Sequence, residues 1–259
     1  MIDTHCHLTF PDYEGRIDAV LADAAAVGVS GCITISTTTS DCLDALRIAR
    51  GRARVWCTAG VHPLYSDRTP HRWEALRECG ADPKCVAWGE LGLDKHYDKP
   101  PKEVQLKVLA EQLTVLEGLA SEGMDKPVVI HCREAFDELI PILRKSRLDP
   151  SRMVFHCFTG GPDDMRLLLD FGASVSFTGV LTYKNAEEVR AAAALVPMDR
   201  VMVETDAPFL PPEPVRSKRP NEPKHVVHVA RTLAGVHGLS EAEMERVLNE
   251  NTRRFFGVA

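Results

Sequence analysis

Eight short apolar segments alternate with longer amphipathic ones along the whole chain, and this alternation constrains the fold more than any other feature. The short segments are Met1–His5, Cys32–Ser36, Arg54–Ala59, Cys85–Glu90, Val128–His131, Met153–His156, Ala173–Phe177 and Val201–Glu204. Their brevity and β-branched content predict strands. Helical patterns fall between them at Ile17–Val27, Asp41–Arg50, Arg72–Glu78, Lys102–Glu122, Ala135–Lys145, Pro162–Phe171 and Ala186–Leu195. Two more, Lys224–His237 and Glu241–Phe256, follow the eighth strand.

A strand–helix unit repeated eight times predicts an α/β protein of the (β/α)8 TIM-barrel type. The 259 residues suit one such domain, residues 1–259. A doubly wound open sheet is the alternative, but it gives no reason for histidines at so many strand ends. Local punctuation agrees with the helix pattern. Ser40 can cap the helix starting at Asp41, and Ser240 with Glu243 marks the last helix start. Gly28, Gly123 and Gly172 fall where helices should stop. Pro208–Pro223 is the one long irregular segment, and its place after the eighth strand puts it over the barrel mouth.

The formal net charge of −6 argues against coating nucleic acid by bulk electrostatics, but allows a local grip on phosphate. The eight cysteines (Cys6, Cys32, Cys42, Cys57, Cys79, Cys85, Cys132 and Cys157) include no C-x-x-C pair, so a structural zinc knuckle is not expected. They read as small buried hydrophobes carrying reduced thiols. A charge and histidines in the first residues stand where a secretory signal needs an apolar run. No stretch of about 18 apolar residues offers a membrane span. The expected location is the cytoplasm, without membrane contact.

The histidines and acids concentrate at the predicted strand ends. His5 and His7 end the first strand, Glu90 the fourth, His131 the fifth and His156 the sixth, and Asp206 follows the eighth. In a parallel barrel these ends share one rim, where active sites lie. Residues two apart on a strand face the same way, so His5 and His7 can both aim inward. A carboxylate between glycines, as in Gly89-Glu90-Leu91-Gly92, can approach a ligand closely and bridge two metals. His131 and His156 each end an apolar run, an arrangement that is costly unless satisfied or functional. Asp206 can hold a metal and accept a proton from water, and Glu204 reads as a supporting acid.

The motifs Asp3-Thr4-His5-Cys6-His7, Gly60-Val61-His62-Pro63, Gly89-Glu90-Leu91-Gly92-Leu93-Asp94, Val129-Ile130-His131-Cys132-Arg133, Phe155-His156-Cys157-Phe158-Thr159-Gly160, Glu204-Thr205-Asp206-Ala207-Pro208 and Asn251-Thr252-Arg253-Arg254-Phe255-Phe256 span the chain in order. With them the chain resembles the TatD family of metal-dependent deoxyribonucleases, within the amidohydrolase-like barrels. The resemblance implies two divalent ions (Zn, Mn, Mg or Fe) and no organic cofactor. His5, His7, Glu90 and Asp206 would hold one ion, and Glu90, His131 and His156 the other. Many amidohydrolases bridge with a carboxylated lysine; Glu90 at the matching position points to the nuclease-like branch. Asp206 would be the catalytic base, and His62 and Arg133 would contact substrate phosphate. The implied activity is 3′-5′ exonuclease-like hydrolysis of DNA or another nucleic acid, and a monomer is expected.

Other readings stay open at this level. A dinuclear barrel also hydrolyses esters, amides or phosphomonoesters, including aminoacyl esters on tRNA. A catalytically silent binding protein is the third possibility. Arg216, Lys218, Arg219 and Lys224 either grip a nucleic-acid backbone or form a solvated charge run, and Phe209 and Tyr183 either stack bases or pack.

Overall fold

The computed structural model describes residues 1–259. Eight parallel strands form one sheet in chain order: β1 (Ile2–Cys6), β2 (Gly31–Thr34), β3 (Val55–Ala59), β4 (Cys85–Asp94), β5 (Val128–Arg133), β6 (Met153–Phe155), β7 (Ser174–Phe177) and β8 (Val201–Val203). The sheet curls into a barrel. Its seam is joined just past β8, where the Asp206 N–H donates to the His5 carbonyl at 2.9 Å and the His7 N–H to the Ala207 carbonyl at 2.8 Å. The helices are α1 (Ile17–Ala26), α2 (Thr39–Arg50), α3 (Glu74–Gly80), α4 (Lys102–Ser121), α5 (Phe136–Leu143), α6 (Pro162–Phe171), α7 (Glu187–Ala193), α8 (Val226–His237) and α9 (Glu241–Phe256).

Two apolar layers hold this arrangement. The larger lies between strands and helices, with Leu46, Leu76, Trp88, Leu116, Leu139 and Leu168 among its buried members. The smaller includes Ile33, Ile35, Val129, Val154 and Met202, one of each alternate pair along their strands. The strand period of two then turns His131, His156 and Glu204 to the same side as Val129, Val154 and Met202. The apolar plug and the polar cluster are thus successive inward layers of the same strands.

Two sequence expectations change. Neither Glu90 nor His131 ends its strand, since β5 runs on to Arg133. β4 continues to Asp94 and stays paired with β5, with a register shift between Trp88 and Leu91. The glycines that read as a turn instead shape this irregularity: Gly89 and Gly92 take φ of 116° and 148°. An added Cβ would stand 2.4 Å from the Val129 carbonyl oxygen at Gly89, and 1.9 Å from that of His131 at Gly92. The second change is at α2, which starts at Thr39. Thr38, not Ser40, caps it, accepting from the Asp41 N–H at 3.1 Å. By contrast α6 and α9 match the expected spans. Asp164 reaches back to the Gly161 N–H at 3.1 Å, and Gly172 ends α6 in the left-handed region. Ser240 and Glu243 cap each other reciprocally at the start of α9. All eight cysteines are free, and seven are buried. No helix is long and apolar enough to cross a membrane.

Candidate metal centre

The carboxyl-end mouth holds a cavity of about 610 Å³ lined by His7, His62, Glu90, His131, His156 and Asp206, among others. Glu90 is buried at its centre. Its Oε1 lies 2.5 Å from His156 Nε2, 2.7 Å from His131 Nδ1 and 3.2 Å from His62 Nε2. Its Oε2 faces His5 Nε2 at 3.3 Å and has no hydrogen-bond partner. On that side Asp206 Oδ1 stands 3.3 Å from His7 Nε2 and 3.6 Å from His5 Nε2. The His5 and His156 rings stack at 4.0 Å between centroids, so the two halves adjoin.

What lies behind each ring decides which nitrogen faces inward. His7 Nδ1 donates to the Ile35 carbonyl at 3.2 Å, His131 Nε2 to Asp94 Oδ2 at 2.9 Å, and His156 Nδ1 to Glu204 Oε1 at 3.2 Å. When such a ring is neutral, its opposite nitrogen is an acceptor aimed at the centre. The inward nitrogens also crowd one another: His131 Nδ1 and His156 Nε2 are 3.1 Å apart, and His5 Nε2 and His7 Nε2 are 3.3 Å apart. Lone pairs and carboxylates packed this closely repel unless a cation or protons lie among them. The donor set thus fits divalent ions. One group is His5, His7 and Asp206, whose ligand atoms lie within 4.8 Å of one another. A second group is His62, Glu90 and His131, and His156 Nε2 joins it 2.5 Å from Glu90 Oε1.

Electrostatics agree. Burial disfavours the Glu90 charge, yet His156, His62 and His5 hold its carboxyl well below the usual range. Burial pulls His156 down, but Glu90 and Glu204 outweigh it and hold the imidazole well above its ordinary value. His131 is raised in the same way against burial by Asp94 and Glu90, and His7 by Asp206. For His5, burial and the neighbouring His156 win and lower it. Asp206 stays ionised against burial through His7 and His5.

The whole-chain match to known proteins decides the family: a family model described as TatD-related DNase matches residues 2–257. The chain belongs to the TatD-related DNase family. It is a metal-dependent hydrolase. Among TatD-related proteins, an uncharacterized metal-dependent hydrolase of Escherichia coli strain K12, YcfH, is 37% identical over 100% of this chain and 96% of the relative. The protein of that strain named 3′-5′ ssDNA/RNA exonuclease TatD is 32% identical, with 100% of each chain covered. The crystal structure of the TatD homologue YjjV from Escherichia coli K12 superposes with a TM-score of 0.90 at 30% identity, covering 100% of this chain and 98% of that one.

Within this TatD-related site the remaining candidates separate. His62 Nδ1 accepts from the Leu64 N–H at 2.9 Å, so its proton sits on Nε2, facing Glu90. Burial pulls this imidazole down to about 4, despite Glu90. His62 lies among ligand-type atoms with Glu90 and His131, and with Nδ1 accepting it presents an Nε2–H to Glu90. Arg133 lines the cavity, its guanidinium 5.2 Å from the Tyr97 ring centroid. The basic cluster is divided. Lys224 is tied to Asp23 at 2.8 Å and Glu222 at 2.6 Å and is not free to hold a backbone. Arg216 covers the half-buried Tyr183 ring at 3.9 Å, so Tyr183 packs rather than offering an open face. Lys218 and Arg219 are exposed.

Sequence reasoning left two buried acids without a role. Asp94 backs His131 as described. Asp3 Oδ1 accepts the Thr205 N–H at 2.9 Å and Oδ2 the Thr205 hydroxyl at 2.5 Å, which locks β1 to the segment carrying Asp206. Burial pushes the Asp3 carboxyl up to about 8 against these donors. Their signal was present: both lie inside the quoted motifs, and a buried acid needs a partner. Backbone strain also gathers here. The four non-glycine residues with positive φ, Glu134, Cys157, Asp206 and Leu210, all line the cavity.

Asp94→Asn keeps the oxygen that caps the His96 N–H but removes the charge behind His131. Metal affinity is expected to fall about tenfold, within the ~10–100-fold range for such partners. Competition against a chelator measures it, and unchanged affinity would contradict the role.

Proposed function

We propose that the protein is a two-metal phosphodiesterase that removes nucleotides from the 3′ end of single-stranded DNA or RNA, using one barrel domain over residues 1–259. One observation carries this reading. Glu90 gathers His131, His156 and His5 around one buried carboxylate, and His5 and His7 both meet Asp206 beside it. The strand chemistry comes from the relative named 3′-5′ ssDNA/RNA exonuclease TatD.

His5, His7 and Asp206 would hold one ion and Glu90, His131 and His156 the other, with Glu90 shared. When bound, such ions neutralise charge on the phosphoryl oxygens and make water a better nucleophile. The chain supplies the rest. Asp206, kept ionised beside His7, takes the proton as water oxygen attacks phosphorus. The bond from phosphorus to the 3′ oxygen of the shortened strand breaks, and that oxygen takes a proton from solvent as it leaves. His62 Nε2–H and the Arg133 guanidinium donate to the phosphate oxygens. Free thiols throughout the fold suit a reducing cytoplasm.

The test begins with chelated protein reloaded separately with Zn²⁺, Mn²⁺, Mg²⁺ or Fe²⁺. About two ions per chain should bind, and a single strand labelled at its 5′ end should shorten stepwise from its 3′ end. Hydrolysis of p-nitrophenyl acetate or p-nitrophenyl phosphate without strand shortening would replace this reading with ester or phosphomonoester hydrolysis. Full activity in the chelated protein would end the metal assignment.

A further inference from the structure

Five large hydrophobic side chains are exposed on the molecule, and two of them are aromatic: Tyr97 at 51% and Phe209 at 45%. Both line the cavity around the acid–histidine cluster. Tyr97 follows β4 and Phe209 follows β8. In a closed ring of eight strands in chain order, β4 and β8 stand on opposite sides. The cluster therefore lies between the two rings.

Each ring is tied to an acid of the cluster. The Phe209 N–H donates to the Asp206 carbonyl at 2.9 Å, and Asn221 Nδ2 donates to the Phe209 carbonyl at 2.7 Å. The Phe209 ring meets Phe10 edge to face at 5.7 Å and His7 at 6.1 Å. Across the mouth, the Tyr97 N–H donates to Asp94 Oδ1 at 3.4 Å, His96 meets the ring at 4.9 Å, and the Arg133 guanidinium lies 5.2 Å from its centroid on one face, while the residue stays 51% exposed. Both rings are positioned by neighbours yet remain open to solvent. An anchored aromatic beside a phosphate-handling centre is a platform for a flat heterocycle, and every base has a π-face to offer. A paired base inside a duplex has its faces covered by its neighbours.

We infer that Phe209 and Tyr97 are two base-stacking platforms that hold the nucleotides on either side of the scissile phosphate in a single strand. This rests on the phosphodiesterase reading above. With the phosphate at the cluster, the terminal base stacks on one ring and the penultimate base on the other.

The experiment uses the metal-loaded enzyme and three single-stranded oligonucleotides: one intact, one with an abasic 3′-terminal residue, and one with an abasic penultimate residue. In the wild type, each missing base is expected to raise KM about tenfold. Phe209→Ala should erase that penalty at one of the two positions and Tyr97→Ala at the other, while Phe209→Trp and Tyr97→Trp retain it. Because both side chains are exposed, truncating them leaves the core packed. Equal KM for the three strands in the wild type would overturn the inference while leaving the phosphodiesterase reading intact. So would penalties that survive in both alanine variants. No shortening of any strand by the wild type would remove the phosphodiesterase reading, and this inference with it.

Discussion

Glu90→Gln is expected to leave a folded barrel whose kcat/KM on single-stranded DNA is down by about 10³-fold, the upper end for removing one electrostatic element of an active site. The substitution preserves volume, so the packing around β4 has no reason to move. It changes what faces the rings. Glu90 presents two acceptor oxygens to His156, His131, His62 and His5 at 2.5, 2.7, 3.2 and 3.3 Å. Glutamine has one acceptor oxygen, an NH2 group that can only donate, and no charge. At least one cation should lose its shared ligand, so metal content measured on the purified variant should drop below that of the wild type. An unchanged circular dichroism spectrum separates this from unfolding. A variant that kept both its metal and its rate would show that the reactive centre lies elsewhere.

Gly92→Ala is expected to lower stability by about 3 kcal/mol, from a positive-φ penalty of ~1–2 kcal/mol and overpacking of ~1–3 kcal/mol. For a domain of this size that corresponds to a fall in Tm of roughly 6–12 °C. The methyl group has nowhere to go, because it would stand 1.9 Å from the His131 carbonyl oxygen, a backbone atom of the paired strand. Relief requires β4 and β5 to separate where one carries Glu90 and the other His131. Activity should therefore fall together with Tm. Gly118→Ala is the matched contrast: this glycine is exposed inside α4 and an added Cβ meets nothing within 4 Å. It should gain about 0.5–1 kcal/mol, since glycine weakens a helix interior. Thermal scans of the two variants should move in opposite directions, and a shared direction would refute the argument from space.

The strands were legible because parallel strands covered on both faces are short apolar runs. The spans of α6 and α9 were legible because their caps lie within a few residues in sequence, Asp164 on Gly161 and Glu243 on Ser240. The cap of α2 was ambiguous because Thr38, Thr39 and Ser40 offer three adjacent hydroxyls, and only the folded backbone selects one. The length of β4 was hidden because a glycine reads the same in a turn and in an irregular strand. The acids and histidines of the site stood out as dense motifs. The partners that orient them did not, because Asp94 meets His131 across 37 residues and Asp3 meets Thr205 across 202. The role of Lys224 stayed open in the sequence because one of its two acidic partners, Asp23, is 201 residues away, although the other, Glu222, is close by.

The seam between β1 and the segment after β8 carries His5 and His7 on one side and Asp206 on the other. Half of the reactive centre thus comes into being only when the two extremes of the barrel dock. A chain whose last strand has frayed keeps His5, His7, Glu90, His131 and His156 on or beside their strands but lacks Asp206 opposite the first two. Closing the ring is what sets His5 and His7 opposite Asp206.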